Sequence, residues 1–332
     1  MNQLTEVLHN ISGAQHQYEV FSGANTHTPY LADTRQKYQR KLFDTLDEVL
    51  SRCDLRDGMT VSFHHAFREG DKVINYVMTR LAEKGLRGLT LASSSLMTCN
   101  TPLIEHIKQG VISKIYTSGM RGELADAISH GLMEEPVQIH SHGGRVNLIE
   151  KGEINIDVAF LAVSCCDEYG NASGSGGKSR CGSLGYAMVD AKYARKVVLL
   201  TESIEPFPYM PASIIQDQVD YIVKIDSVGD PAKISVGAAR VTSNPRELMI
   251  ARSAADVIEH SGYFRDGFSL QTGSGAASTA CTRFLESRMR KHNIVASFAL
   301  GGITGSIVDL HEKGLITKLL DTQSFDGAAG ES

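Results

Sequence analysis

Leu91-Ala92-Ser93-Ser94-Ser95-Leu96 returns 204 residues later as Val295-Ala296-Ser297-Phe298-Ala299-Leu300. At the same offset, Leu103-Ile104-Glu105 through Gly110-Val111-Ile112-Ser113-Lys114-Ile115 meets Ile307-Val308-Asp309 through Gly314-Leu315-Ile316-Thr317-Lys318-Leu319. No gap is needed, and the turn glycines coincide. Self-similarity at a fixed spacing marks a duplicated structural unit, and a spacing this long implies two copies of a domain rather than a solenoid. The expected division is an arm over 1–38, a first α/β domain over 39–228, a linker over 229–246 and a related second domain from 247 to 332. If the copies are equal in length, the second is expected to be incomplete at Ser332.

Outward from the repeat, apolar strand-like runs alternate with helical patterns. Leu42, Phe43, Leu46, Val49 and Leu50 recur at helical spacing over 39–52. Strands are expected over 59–63, 89–92, 112–116, 137–140, 156–163 and 197–201, with helices over 73–84, 102–109 and 123–131. Gly85 and Gly110 stand where helices close. Beyond the linker the same alternation predicts helices over 246–261, 277–289 and 307–313, and strands over 268–272 and 294–299. This pattern implies α/β architecture: a tandem pair of related open, mainly parallel sheets. In such sheets ligands bind beyond the carboxyl ends of the strands.

Composition narrows the class. With 42% apolar and 21% charged residues the chain reads as an ordinary globular protein. No run has the ~18 uncharged apolar residues of a membrane span, and residues 1–20 lack the apolar core of a signal peptide. A net charge of −5 argues against a nucleic-acid partner, which calls for a basic face. The six cysteines form no CxxC pair and no metal-ligand spacing, so reduced thiols in a cytoplasmic protein, and no metal, are expected.

The loops after strands carry the candidate chemistry. The first is Phe63-His64-His65-Ala66-Phe67-Arg68-Glu69-Gly70-Asp71. His64, His65 and Arg68 there suit a carboxylate, and the alternative for Arg68 is a structural salt bridge to Glu69 or Asp71. Next come Thr117-Ser118-Gly119-Met120-Arg121-Gly122 and His140-Ser141-His142-Gly143-Gly144-Arg145, adding Arg121 and Arg145. Ser175-Gly176-Gly177-Lys178-Ser179-Arg180 lacks P-loop spacing, which excludes an ATP reading on that motif. Gln271-Thr272-Gly273-Ser274-Gly275-Ala276 opens a helix and presents N–H groups to an anion or carbonyl. Leu300-Gly301-Gly302-Ile303-Thr304-Gly305 is a second such turn, read as an oxyanion pocket.

Together Ser62-Phe63-His64-His65, Phe67-Arg68-Glu69-Gly70-Asp71, Ser118-Gly119-Met120-Arg121-Gly122, Cys166-Asp167-Glu168-Tyr169-Gly170-Asn171 and Leu300-Gly301-Gly302-Ile303-Thr304-Gly305 resemble the citrate lyase alpha chain family, within the CoA-transferase superfamily. The resemblance implies an enzyme that exchanges acetyl for citryl on a thioester. That thioester is a CoA or dephospho-CoA-derived group carried by a gamma subunit, with no cofactor of the chain's own. A beta subunit would then cleave the citryl group, giving oxaloacetate and acetate overall; a homo-oligomer is also expected. On this reading Arg68, His64, His65, Arg121 and Arg145 bind citrate, Gly301 and Gly302 donate N–H groups, and Gln271, Gly273 and Gly275 line the path of the CoA-like arm. Related transferases place a glutamate nucleophile a few residues before an Asp-Leu-x-Glu-x-Gly helix. Here Asp309-Leu310-His311-Glu312-Lys313-Gly314 follows Gly301-Gly302, so direct transfer is implied, with Glu168 and Glu202 outside the nucleophile's place. An acyl-CoA hydrolase, a general acyl-CoA:carboxylate transferase and a non-catalytic ligand sensor are the alternatives.

Overall fold

The structure, a computed structural model, describes residues 41–234 and 242–331. The expected arm over 1–38 and residues 235–241 of the expected linker lie outside the described residues.

The chain begins with strand β1 (Leu42–Phe43), helix α1 (Leu46–Arg52), β2 (Thr60–Phe63), α2 (Val73–Glu83), β3 (Leu89–Ser93), α3 (Leu103–Lys108), β4 (Ile112–Thr117) and α4 (Gly122–Ser129). It continues through β5 (Gln138–Ile139), α5 (His142–Glu150), β6 (Val158–Val163), β7 (Cys165–Asp167), β8 (Ala172–Ser173), α6 (Gly185–Tyr193), β9 (Lys196–Thr201), β10 (Ile204–Glu205), β11 (Tyr221–Lys224) and α7 (Pro231–Ile234). An eight-stranded sheet has the order β1-β11-β9-β6-β2-β3-β4-β5, and every neighbour pair in it runs parallel. The direction of winding reverses between β2 and β6, which makes that junction the sheet's switch point. All six residues of β6 are buried, as a strand covered on both faces requires. A small sheet, β10-β7-β8, stands beyond the carboxyl ends.

The later part contains α8 (Pro245–His260), β12 (Ser269–Leu270), α9 (Ala276–His292), β13 (Phe298–Ile303), α10 (Gly305–Glu312), β14 (Leu319–Ser324) and α11 (Gly327–Glu331). Its parallel sheet has the order β12-β13-β14. The succession α8-β12-α9-β13-α10-β14 matches α1-β2-α2-β3-α3-β4 in element type and in strand neighbours. Each series has its own core, the second around Ala251, Ala255, Leu285, Met289, Ala299 and Ile316.

Four local expectations are corrected. Leu42 and Phe43 are an edge strand on β11, because Thr45 caps α1 by accepting the Glu48 N–H and so starts the helix later. The stretch 140–145, read as a loop after a strand, instead enters α5 at His142, and Ser141 caps that helix by accepting the Gly144 N–H at 3.0 Å. The strand expected over 294–299 lies at Phe298–Ile303. Helix α9 continues to His292, Asn293 closes it at φ 54°, and the Ile294 N–H is spent on Met289 O. Finally, the gap-free equivalence fails at the level of register. Ala92 pairs with Tyr116, whereas its repeat partner Ala296 bridges Ile316 rather than Leu320. The long loop between β3 and α3 is reduced to Thr304 between β13 and α10, which slides the strands along the helix.

Candidate active site

The carboxyl end of β2 meets the carboxyl end of β14. Gln323 donates from Nε2 to His65 O at 3.1 Å, and Ser183, just before α6, donates from Oγ to Asp321 O at 2.9 Å. A Cβ on Gly182 would overlap Ser324, and one on Gly185 would overlap the Thr322 carbonyl, so this loop lies flat against β14 only because it carries glycine.

The two histidines after β2 part company. His64 sits over the switch point, with Nε2 2.8 Å from Ala162 O, and its Nδ1 accepts the Ala66 N–H at 3.3 Å. A carbonyl only accepts, so His64 carries its proton on Nε2 and both nitrogens are used. Burial holds its pKa near 4, a neutral structural ring. His65 is stacked 5.8 Å from His142 and 5.6 Å from Tyr186. Burial, then His142 and Arg68, hold its pKa well below the ordinary value.

Arg68 follows in a tight 3-10 turn, Arg68–Gly70, with a left-handed φ of 53°. That conformation costs a non-glycine residue roughly 1–2 kcal/mol. The residue is only 7% exposed and its guanidinium lies 5.0 Å over the Phe325 ring. Buried Nη1 has no partner among the described residues. Neither suspected carboxylate pairs with it. Glu69 accepts from the Thr98 hydroxyl at 3.1 Å and from the Cys99 N–H at 3.2 Å, and Asp71 accepts the Ile74 N–H at 3.0 Å. Burial and the charge of Arg121 push the Arg68 pKa down to about 10, with Glu69 opposing. Among the described residues this buried cation has no carboxylate partner and is repelled by a second cation, so its guanidinium is chemically suited to take an anion.

The other arginines differ. Arg121, exposed at the start of α4, fixes its backbone through an N–H to Leu96 O at 3.1 Å. Arg145 is fully buried: Nη1 and Nη2 reach Asp190 at 2.8 and 2.9 Å, and Nη2 also reaches Ser62 Oγ at 3.0 Å and Ala92 O at 3.2 Å. It ties α5 and α6 to β2 and β3, and in this arrangement its guanidinium is closed to a ligand.

On the opposite side, Gly301 and Gly302 lie inside β13, at a register shift against β14, rather than in a turn after it. Gly301 has φ 100°, with the Gln271 amide packed where its Cβ would be. A Cβ on Gly302 would overlap the Phe325 ring. Gln271 and Gly273 line a cleft of about 240 Å³ together with Ile250, Ala254, Leu270 and Cys281. Gly275 is the N-cap of α9. The structure therefore joins Gln271 to Gly301, and joins Gly302 through Phe325 to Arg68.

Sequence reasoning passed over Phe325, Gln323 and Ser94, because their roles come from contacts across the chain. It left Glu202 without a role. Glu202 clamps the glycine-rich loop, accepting the Ser179 N–H at 2.7 Å and the Val228 N–H at 3.3 Å. Asp167 of the Asp-Glu-Tyr-Gly-Asn element gathers the Tyr169, Gly170 and Asn171 N–H groups on Oδ1 and the Tyr209 N–H on Oδ2. Among the described residues no group of three or more His, Cys, Asp or Glu side chains is placed to hold a metal.

This parallel α/β arrangement, with its loops gathered at strand ends, is a CoA-transferase-like fold. A 4-hydroxybutyrate CoA-transferase from Porphyromonas gingivalis superposes with a TM-score of 0.54 at 19% identity, covering 89% of this chain and 65% of that one. The chain belongs to the citrate lyase alpha subunit family: residues 39–332 match the family model "Citrate lyase, alpha subunit (CitF)". It is 66% identical over 312 residues to the citrate lyase alpha chain of Klebsiella pneumoniae, covering 94% of this chain and 61% of that protein. A Streptococcus mutans crystal structure described as an alpha subunit of citrate lyase in complex with citrate superposes with a TM-score of 0.87 at 51% identity, covering 89% of this chain and 58% of that one. The chain thus spans about three fifths of the length of these relatives.

Proposed function

We propose that the chain carries the citrate CoA-transferase activity of a citrate lyase. In this reading a citrate carboxylate attacks the acetyl thioester carbonyl and displaces the carrier thiolate, which then attacks the citryl carbonyl of the mixed anhydride and expels acetate, with no net gain or loss of protons. A separate lyase subunit then cleaves the citryl group. The thioester belongs to a CoA or dephospho-CoA-derived group on the partner, the complex is cytoplasmic, and the chain works as a homo-oligomer. No helix among the described residues is long and apolar enough to cross a membrane.

The observation that carries the reading is Arg68, a buried guanidinium without a carboxylate partner among the described residues, beside Arg121. Its planar fork suits a carboxylate. The family membership and the citrate named for the Streptococcus mutans relative support the same ligand class. Gly302 adjoins this region through Phe325, while Gly301 adjoins Gln271; both glycines are assigned to the thioester side. Transfer is direct on this proposal, because Gly301-Gly302 stand where related transferases carry glutamate.

The test is acetyl exchange from acetyl-CoA or the acetyl carrier in the presence of citrate. Arg68→Ala is expected to raise the citrate concentration needed for half-maximal exchange by roughly 10- to 100-fold, corresponding to ~1.5–3 kcal/mol for a charge-assisted hydrogen bond. Arg68→Lys is expected to recover part of it. Acetate release without citrate would favour a hydrolase, and saturable binding without turnover a sensor. Unchanged citrate dependence in a folded Arg68→Ala protein removes Arg68 from the site.

A further inference from the structure

Ser94 follows β3 and is fully buried. Its Oγ accepts the backbone N–H of His65 at 3.0 Å and lies 2.6 Å from His65 Nδ1. These two contacts fix where the protons are. If Nδ1–H pointed at Ser94, the hydroxyl oxygen would accept two N–H bonds, and its own hydrogen would be left in a buried site with no other acceptor among the described residues. If Ser94 donates to Nδ1, every group there is satisfied, and His65 carries its proton on Nε2. His64 has the same tautomer but spends Nε2–H on Ala162 O. His65 Nε2 has no hydrogen-bond partner among the described residues. The ring cannot easily rotate away, since His142 and Tyr186 stack against it and Gln323 holds its carbonyl.

We propose that Ser94 is a positioning residue that locks His65 as a neutral Nε2–H donor, so that the anion site at Arg68 offers a carboxylate substrate an uncharged donor in addition to its arginines. This rests on the carboxylate-binding reading of Arg68. Its consequence is selectivity. A further cation beside Arg68 and Arg121 would add only charge, which holds any small anion, whereas a directional neutral donor favours an anion with an acceptor oxygen set at the right angle.

The experiment uses the full chain with ¹⁵N-labelled histidine. Long-range ¹H–¹⁵N correlation spectra report the His65 tautomer directly, and citrate saturation of exchange reports its use. Wild-type His65 is expected as the neutral Nε2–H form at neutral pH. Ser94→Ala is expected to release the tautomer and raise the half-saturating citrate concentration roughly three- to tenfold, the worth of a neutral hydrogen bond, with the maximal rate retained. Ser94→Thr, which restores a hydroxyl, is expected to recover both. An Nδ1–H or charged His65 in the wild-type spectrum overturns the proposal, and that reading needs no variant to fold. So does a Ser94→Ala protein whose tautomer changes while its citrate dependence does not, provided Arg68→Ala still shifts that dependence. If Arg68→Ala also leaves it unchanged, the carboxylate reading has failed, and with it the use assigned to the Nε2–H.

Discussion

The guanidinium of Arg68 lies 5.0 Å over the ring of Phe325, and the same ring fills the space beside Gly302. One aromatic side chain therefore lies between the cation at the end of β2 and the glycine pair within β13. A cation over an aromatic face is held by the ring's quadrupole without being neutralised. Phe325 can thus orient Arg68 while leaving its hydrogen-bonding edge for a ligand.

Gly302→Ala is expected to destabilise the fold by about 1–3 kcal/mol, the usual penalty for overpacking, because the added methyl overlaps the Phe325 ring. Phe325→Leu in the same protein should return part of the loss by vacating that space. Thermal melts of the two single variants and the double variant measure the coupling. A Gly302→Ala protein that melts with the wild type would show that the ring moves aside freely.

Arg68→Ala should not lower the melting temperature by more than about 2 °C, because it removes a buried charge that has no carboxylate partner among the described residues. Citrate should raise the melting temperature of the wild type and leave that of Arg68→Ala nearly unchanged; a ligand at 100 times its Kd contributes about 2.7 kcal/mol. A structural arginine would behave in the opposite way, with a large fall in stability and the citrate response intact.

Arg145→Met should be severe. It strands Asp190, which is fully buried and accepts from both guanidinium nitrogens. Breaking one side of such a pair costs about 3–5 kcal/mol. Arg145→Met with Asp190→Leu should be less damaging than Arg145→Met alone, which denaturant unfolding can show.

Asp71 gives a pH signature. Burial raises its pKa from 3.8 to about 7, with the Ile74 and Val73 N–H groups opposing. The folded state thus prefers the protonated carboxyl. The stability this confers is complete below the unfolded pKa of 3.8, declines as the unfolded chain ionises, and is lost as pH rises through about 7. Asp71→Asn should therefore gain on the wild type as pH increases from 4 to 8, by more than about 2 °C in Tm at the upper end. A difference in Tm that is flat with pH would mean that Asp71 is ionised in the fold.

Both oxygens of Glu202 are engaged by backbone N–H groups, at 2.7 Å from Ser179 and 3.3 Å from Val228. Hydroxylamine or borohydride trapping after acyl-thioester treatment is expected to leave it unmodified. Glu202→Gln turns one acceptor into a donor facing an N–H, and should cost about 1–3 kcal/mol of stability. A stoichiometric adduct on any glutamate would refute direct transfer.

The alternation of strands and helices could be read from the sequence because each element carries its own period and its own stop, as Gly85 and Gly110 do. Arg68 could be placed at a strand end for the same reason. Its lack of a partner could not, since that depends on Glu69 turning to Thr98 and Cys99. Arg145 looked like a loop cation because Gly143-Gly144 masked the first turn of α5, and its partner Asp190 lies on another helix. Adjacent histidines are alike in sequence, yet a carbonyl occupies one and a serine sets the other. The strand position of Gly301 and Gly302 was hidden by the three extra helical residues before Asn293.

Arg68 belongs to the larger sheet, while Phe325 and Gln323, which hold it and its neighbour His65, belong to the smaller one. An anion held at Arg68 would therefore act as a fastener as well as a ligand. By thermodynamic reciprocity, whatever free energy the anion gains from the docked arrangement, docking gains from the anion. Starved of carboxylate, the protein would keep the same two sheets joined by a weaker seam.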